Sequence, residues 1–400
     1  MFYGIGQWLT LLAFTHIAGT DTVGLWVLAT AIAAPIDLFC RLGSRHLAAT
    51  AIDDRDDASL IASRAWTSVL FILVVTGWAA AVGGMPLLAM MAPVAIAKIG
   101  EGLSDVAYGI RQRRHETGLV TRSLMIKSIA SPLIFVALAI PAGPVAGLWG
   151  IAAVWITLLF AFDAPAFGEH THLLRAALGD QARRIRQSVG AGFPLGAAAS
   201  LQSLSSAMPR LALSRYATLG DVAQYGVFGY TSIAIGRLGV ALAGAMAPHL
   251  STHAAKQDWR SAARYVDRIA GTVVLIGAIA VVVVLVAGES ILKALFGMRY
   301  ATAPTVFAVV VGVVVLEQLI LLYVTLLAAA RRGAGASIAA LASVGVQLVL
   351  LPLLVPGHHL VGAAIASLLS TTVGVVVIRW AVHRVASTAP LVVDPIVEDA

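Results

Sequence analysis

The sequence predicts an all-α integral membrane protein of about twelve transmembrane helices. It places them as two lobes of six around a central cavity, with both termini cytoplasmic. Three observations carry this reading. Of 400 residues, 59% are apolar and 12% charged, where a soluble domain carries roughly 25% charged residues. Apolar runs such as 271–288 and 304–330 approach or exceed the roughly 20 residues that cross a hydrocarbon core as helix. Finally, the basic residues alternate from one connection to the next in a one-sided way. The mean hydropathy of +0.90 has the same origin as the composition: polar side chains are too few to cover a water-facing surface. The competing reading is a soluble protein with long buried helices. A β-barrel is excluded, because in-out alternation is absent.

In chain order the predicted spans are 3–19, 22–40, 65–83, 86–109, 123–141, 144–167, 190–209, 223–248, 268–288, 303–329, 336–355 and 361–383. Gly, Pro and charge clusters mark most of the breaks. Arg41, Arg45, Arg55 and Arg64 fall between spans 2 and 3, and Arg111, Arg113, Arg114 and Arg122 between 4 and 5. Arg175, Arg183, Arg184 and Arg186 lie between 6 and 7, and Lys256, Arg260, Arg264 and Arg268 between 8 and 9. Arg331 and Arg332 follow span 10, and Arg379 and Arg384 end span 12. That is twenty of the 27 Lys and Arg on one side. Arg210, Arg215, Lys293 and Arg299 are the four on the other, and Lys98, Lys127 and Arg237 fall within spans. Positive connections mark the cytoplasmic side. The net charge of +7 is therefore a topology signal with some attraction to anionic lipid, and not a nucleic-acid surface.

The lone Cys40 rules out an internal disulfide framework. The N-terminus has neither the basic flank nor the small-residue cleavage site of a signal peptide.

The chain carries a weak internal repeat. Thr20-Asp21-Thr22-Val23-Gly24-Leu25-Trp26 opens span 2, and Gly220-Asp221-Val222-Ala223-Gln224-Tyr225-Gly226 opens span 8. Glu101 precedes Arg113-Arg114, as Glu317 precedes Arg331-Arg332, at an offset of about half the chain. Six spans per half enter the membrane in the same sense, which predicts parallel repeats with a substrate site between them. Chance similarity among Ala/Gly/Val-rich helices is the plainer alternative. The implied division is an N-terminal lobe 1–167, a cytoplasmic linker 168–189, a C-terminal lobe 190–384 and a cytoplasmic tail 385–400. The linker separates apolar residues from arginines on a helical turn, so it reads as an interfacial amphipathic segment or as an ordinary loop.

A charge at the bilayer centre costs roughly 2.5–3.5 kcal/mol on insertion scales, so each one needs a reason. The candidates are Asp37, Lys98, Glu101, Asp105, Lys127, Asp163, Arg237 and Glu317. Lys98, Glu101, Asp105, Tyr108 and Gln112 recur at helical spacing and form one polar stripe. Such a stripe suits the wall of a hydrated path, or else a structural Lys98–Glu101 pair with Asp105 near the interface. Arg237, mid-span with no acid within four residues, is expected to meet an acid on another helix or an anionic substrate. Lys127 is expected to snorkel to the cytoplasmic side, and Asp163 to be interfacial.

Enzyme signatures are missing: no Gly-rich phosphate loop with its Lys-Ser/Thr is present, which argues against direct ATP use. No cofactor is expected. His249 and His253 share a helix face but have no further metal ligands nearby, and His358-His359 fall in a short external turn.

Several stretches resemble the polysaccharide (Wzx-type) flippases of the multidrug/oligosaccharidyl-lipid/polysaccharide exporter superfamily. Val23-Gly24 through Pro35-Ile36-Asp37-Leu38-Phe39, running into Leu42-Gly43-Ser44-Arg45, is similar to their second helix and its loop. Glu101-Gly102-Leu103-Ser104-Asp105, with Tyr108-Gly109 and Gln112-Arg113, resembles their fourth-helix signature. Pro194, Met208-Pro209-Arg210 and Leu295-Phe296-Gly297-Met298-Arg299-Tyr300 resemble their C-terminal half. The chain departs from them in beginning almost inside the first span.

The resemblance implies alternating access and an oligosaccharide on undecaprenyl diphosphate, moved from the cytoplasmic to the outer leaflet of a bacterial inner membrane. Arg237, Lys98 and Arg210 would meet the anionic headgroup. Membrane lipids and polysaccharide polymerase or assembly proteins would be partners. Coupling to H⁺ or Na⁺ would run through Glu101, Asp105 or Glu317. The alternatives are a cation-coupled multidrug exporter, which wants an acidic central cavity, and a membrane polymerase or ligase, which wants a sizeable external loop.

Overall fold

A computed structural model of the chain describes residues 2–51, 54–168, 178–330, 332 and 334–388; the side chains at 2–3, 54–56, 178–182, 184, 231–238, 240, 254 and 388 also lie outside that description. Every regular element among the described residues is helical. The order is α1 (Phe2–Ile17), α2 (Thr20–Arg41), the short α3 (Ser44–Thr50), α4 (Asp54–Arg113), α5 (Thr117–Ala142) and α6 (Pro144–Leu158). A π turn (Leu159–Asp163) and a 3₁₀ turn (Ala164–Phe167) follow α6. Then come α7 (Leu178–Tyr216), α8 (Leu219–Ala255), α9 (Trp259–Phe296), a 3₁₀ turn (Met298–Tyr300), α10 (Pro304–Ala329) and α11 (Ala334–Thr388).

The breaks follow backbone chemistry. Pro144 and Pro304 sit in the first turns of α6 and α10, where a missing N–H costs nothing. The two longest helices each reverse at one residue. Gly84 (φ 59°, ψ −154°) breaks α4 between the predicted spans 65–83 and 86–109, in a region glycine enters freely. His359 (φ 43°, ψ −120°) breaks α11 between 336–355 and 361–383.

Seven helices among the described residues are long and apolar enough to cross a membrane. They hold nine of the twelve predicted spans, because α4 and α11 hold two each. The remaining three fall in α1, which is 16 residues long, in α7, which is rich in Ser, Gly and charged residues, and in α8, whose side chains at 231–238 and 240 lie outside the described residues. The outward faces are apolar throughout: on α9, Leu275, Ile279, Val282 and Val286 are all exposed. Only lipid makes such a surface inexpensive. The predicted linker at 168–189 lies largely outside the described residues, and from Leu178 the chain is already helical and continuous with span 190–209.

Helix pairings recur along the chain. In the first half α1 packs on α5 and α2 on α4; in the second, α7 packs on α11 and α8 on α10. Between the halves α2 meets α7 and α8, and α1 meets α8. Small residues permit these crossings. At one end a Cβ on Gly24 would strike the Leu219 carbonyl, Gly226 sits against Val27, and Arg299 reaches the Ala18 carbonyl at 3.5 Å. At the other, arginine-rich end, Gly192 and Gly196 press on Leu42 and Phe39. There Phe39 meets Phe193 edge-on at 5.6 Å, and the Ser59 and Ser188 hydroxyls share a hydrogen bond of 2.8 Å.

Inside the first half, α2 and α4 are joined by charge. Asp37 accepts from Arg64 at 2.8 Å, and both side chains are essentially inaccessible. Arg64 therefore does not belong to a cytoplasmic connection, as its place in the sequence suggests. Gly102 makes the room, since a Cβ there would occupy the guanidinium's position.

Two outcomes follow from this packing. Removing one partner of a buried ion pair costs about 3–5 kcal/mol, so Arg64→Ala should lower the Tm of the purified protein strongly, and Asp37→Ala in the same chain should restore part of it. A double mutant no better than the single one would contradict the pairing. With Cys40 replaced by Ala, Ser59→Cys plus Ser188→Cys should cross-link on mild oxidation, read as a retained full-length band after cleavage between the two positions. Absence of that band would exclude the closed arginine-rich end.

Candidate functional site

A cavity of about 510 Å³ lies where the two halves meet. Its walls come from α1, α2, α4, α5 and α6 on one side and α7, α8, α10 and α11 on the other; α3 and α9 contribute nothing. Among the described residues, the charged ones on it are Lys98, Glu101, Lys127, Arg210 and Glu317. Of the predicted site residues, Lys98, Glu101, Arg210 and Glu317 are thus brought to one space.

The fourth-helix stripe divides. Lys98 Nζ donates to Glu101 at 2.7 Å, and both open onto the cavity. Glu101 also meets Arg41 at 3.1 Å, while Arg41 binds Asp37 at 2.5 Å and contacts Asp105. Asp105, Tyr108 and Gln112 do not line the cavity. The physical reason is the basic end of α2 packing against that part of α4. Arg45 lies 3.8 Å from Asp105 and donates to Gln112 at 3.3 Å. Tyr108 is buried, with its hydroxyl 3.0 Å from Ser123.

Lys127 departs further from expectation. Lys127 does not snorkel: it pairs with Asp163 at 2.5 Å, with no accessible side-chain surface on either. Lys127 also donates to Ser104 at 2.7 Å and Tyr108 at 3.1 Å, and lies 4.5 Å from the Trp155 ring centre. Ser123 donates to the other Asp163 oxygen at 2.8 Å. Asp163 ends the π turn, a widened turn of the kind that often accompanies functional geometry.

On the second half the charges stand apart. Arg210 donates to the Ser206 carbonyl at 3.0 Å, and no carboxylate lies within ion-pair range of it among the described residues. Glu317 is exposed to the cavity and likewise has no hydrogen-bond or ion-pair partner among the described residues. The two are within electrostatic reach of each other. The side chain of Arg237 lies outside the described residues, so its predicted role has no placement.

Composition and spacing did not single out several wall residues. Ser203, Ser205 and Ser206 stand beside Arg210, and Tyr225, Tyr230, Gln318 and Gln347 complete the wall. The serine run was visible in the sequence as the least apolar stretch of span 7. The others become wall residues only once the halves are assembled. Trp26 and Tyr230, one from each half, stack at 5.5 Å. Among the described residues no cluster of three or more His, Cys, Asp or Glu is placed to hold a metal.

No protein-family model and no curated protein sequence matches the chain. Solved structures do match. The lipid II flippase MurJ in its inward-closed conformation superposes with a TM-score of 0.76 at 11% identity, over 96% of this chain and 88% of that one. An inward-facing multidrug-resistance MATE transporter of the MOP superfamily gives 0.69 at 12% identity, over 97% and 96%. A MOP superfamily transporter from Pyrococcus furiosus, described as having a binding pocket of reverse polarity that suggests a different function, gives 0.62 at 12% identity over 96% and 94%. At these identities the likeness is one of fold: over nearly its whole length, this chain is built as a multi-pass membrane protein on the plan shared by MOP superfamily transporters.

Proposed function

We propose that the protein is a flippase. It moves an oligosaccharide on a polyprenyl diphosphate from the cytoplasmic to the outer leaflet of a bacterial inner membrane, for surface polysaccharide synthesis. Its twelve spans would form lobes over 1–167 and 190–384, joined by the cytoplasmic linker 168–189, with both termini inside. The recurring helix pairings support that division.

The observation that carries the functional reading is Arg210, a guanidinium on the cavity wall without a carboxylate partner among the described residues. Such a fork of donors matches the geometry of phosphate as it does that of carboxylate, and a diphosphate offers it two anionic groups. The cavity volume of about 510 Å³ falls within the roughly 300–1,000 Å³ of small-molecule sites. It suits a polar headgroup whose lipid tail stays in the bilayer. Crossing hydrocarbon unaided would strip that headgroup of its hydration, which the serines of the wall beside Arg210 replace. With the cell interior negative, outward transfer gains about 2.3 kcal/mol per negative charge per 100 mV, so ATP is not required. Of the three acids proposed for ion coupling, Glu101 and Asp105 are engaged by Arg41, which leaves Glu317.

Glu317 also favours a second reading. A carboxylate facing the cavity without a partner among the described residues suits an organic cation, as in a cation-coupled multidrug exporter.

Complementation separates the two. In a deletion host, wild type should restore surface glycan and relieve inward accumulation of lipid-linked oligosaccharide. Arg210→Ala should lose at least about ten-fold of that activity, the scale of one charge-assisted contact, with Tm unchanged, because no buried ion-pair partner is orphaned. Glu317→Gln should retain headgroup binding. Unchanged glycan in the deletion host, together with cationic drug accumulation that Glu317→Gln reproduces, would establish the exporter instead.

A further inference from the structure

The cavity wall carries polar atoms that the fold leaves unused. Gln318, Gln347 and Ser131 all line it. They are 8%, 2% and 7% exposed, and Gln318 Oε1, Gln347 Oε1 and Ser131 Oγ have no hydrogen-bond partner among the described residues. A buried acceptor left unmade costs about 1–3 kcal/mol, and natural proteins seldom tolerate several in one place without a use. Two of these three are carboxamide oxygens, which only accept. What they lack is a hydroxyl or N–H donor.

Local structure fixes one of them against the neighbouring helix. The Gln318 amide nitrogen donates to the Val314 carbonyl of its own helix at 3.4 Å, which turns the oxygen away from α10. Gly239 supplies the room for it, since a Cβ there would collide with Gln318 Oε1. Ser131 faces the same space from the other half, and the stacked Trp26 and Tyr230 rings add a flat apolar surface to the wall. Acceptors and a hydroxyl beside aromatic faces match a pyranose, whose rim presents hydroxyl donors and whose faces present C–H. None of these three residues carries charge, so nothing in the group demands an acidic sugar.

We propose that Gln318, Gln347 and Ser131 form a sugar-hydroxyl subsite, and that the headgroup is recognised through a neutral, hydroxyl-rich sugar as well as through its phosphates at Arg210. This rests on the flippase reading and deepens it: the glutamines set glycan preference, and Arg210 sets affinity for the anion common to all polyprenyl diphosphates.

The test uses the full chain in nanodiscs and two probes, polyprenyl diphosphate and the same lipid carrying one N-acetylglucosamine, with binding read by tryptophan fluorescence. Wild type should bind the glycosylated lipid at least about ten-fold more tightly, the yield of two or three hydroxyl contacts. Gln318→Leu with Gln347→Leu should abolish that preference and leave the affinity for the bare diphosphate within about two-fold. Replacing a buried amide whose oxygen has no partner by a similar apolar shape does not threaten folding, and an unchanged Tm checks this. Equal binding of both lipids by wild type, or a preference that survives in the double variant, overturns the subsite alone. Binding of neither lipid by wild type overturns the flippase reading and the subsite together.

Discussion

Charge inside a membrane must be paired or turned to a hydrated cavity, because hydrocarbon offers no hydration to replace what a folding helix loses. The first half of this protein is organised by that constraint. Asp37 joins α2 to α4 through Arg64 and also holds Arg41, which spans to Glu101 and Asp105. Lys127 and Asp163 join α5 to the end of α6 in the same way. Such pairs add little net stability over apolar packing, yet losing one partner is severe. They therefore specify which helices meet and at what height, and they keep this half rigid around the cavity.

The second half is arranged differently. Among the described residues its two cavity charges, Arg210 and Glu317, form no ion pair, and hydroxyls, tyrosines and carboxamides stand among the valines of its wall. A space whose charges are ion-paired on one side and, among the described residues, without ion pairs on the other is asymmetric in what it offers a ligand. The first half gives shape, and the second gives open hydrogen-bonding capacity. That asymmetry arises although the helix pairings of the halves correspond, so a shared plan has been filled with different chemistry.

The contacts between halves also explain why glycine recurs at α2, α7 and α8. At Gly24, Gly192, Gly196 and Gly226 a methyl group would strike the opposite half. Without a hydrophobic drive between helices in lipid, close backbone approach is what makes such crossings favourable. Among the described residues no salt bridge joins one half to the other. The hydroxyl pair Ser59–Ser188 and the Arg299–Ala18 contact are modest ties at opposite ends of the cavity, suited to being made and broken.

By itself the sequence determined the solvent, the helical class and the positions of the turns. Each of these follows from local chemistry: the run length needed to cross hydrocarbon, the conformations open to Gly84, and the placement of Pro144 and Pro304. It also marked Lys98, Glu101 and Glu317, because an intramembrane charge is costly wherever it sits, while Arg210 was marked only by the resemblance to the flippases. Only the tertiary structure decided what those charges do. Arg64 and Lys127 read as interfacial until Asp37 and Asp163 arrive from other helices, and Asp105 reads as cavity wall until Arg41 covers it. Gln318 and Gln347 carry no charge and break no pattern, so nothing in the sequence sets them apart. Their significance depends on which partners they lack, and that is known only when every neighbouring helix is in place.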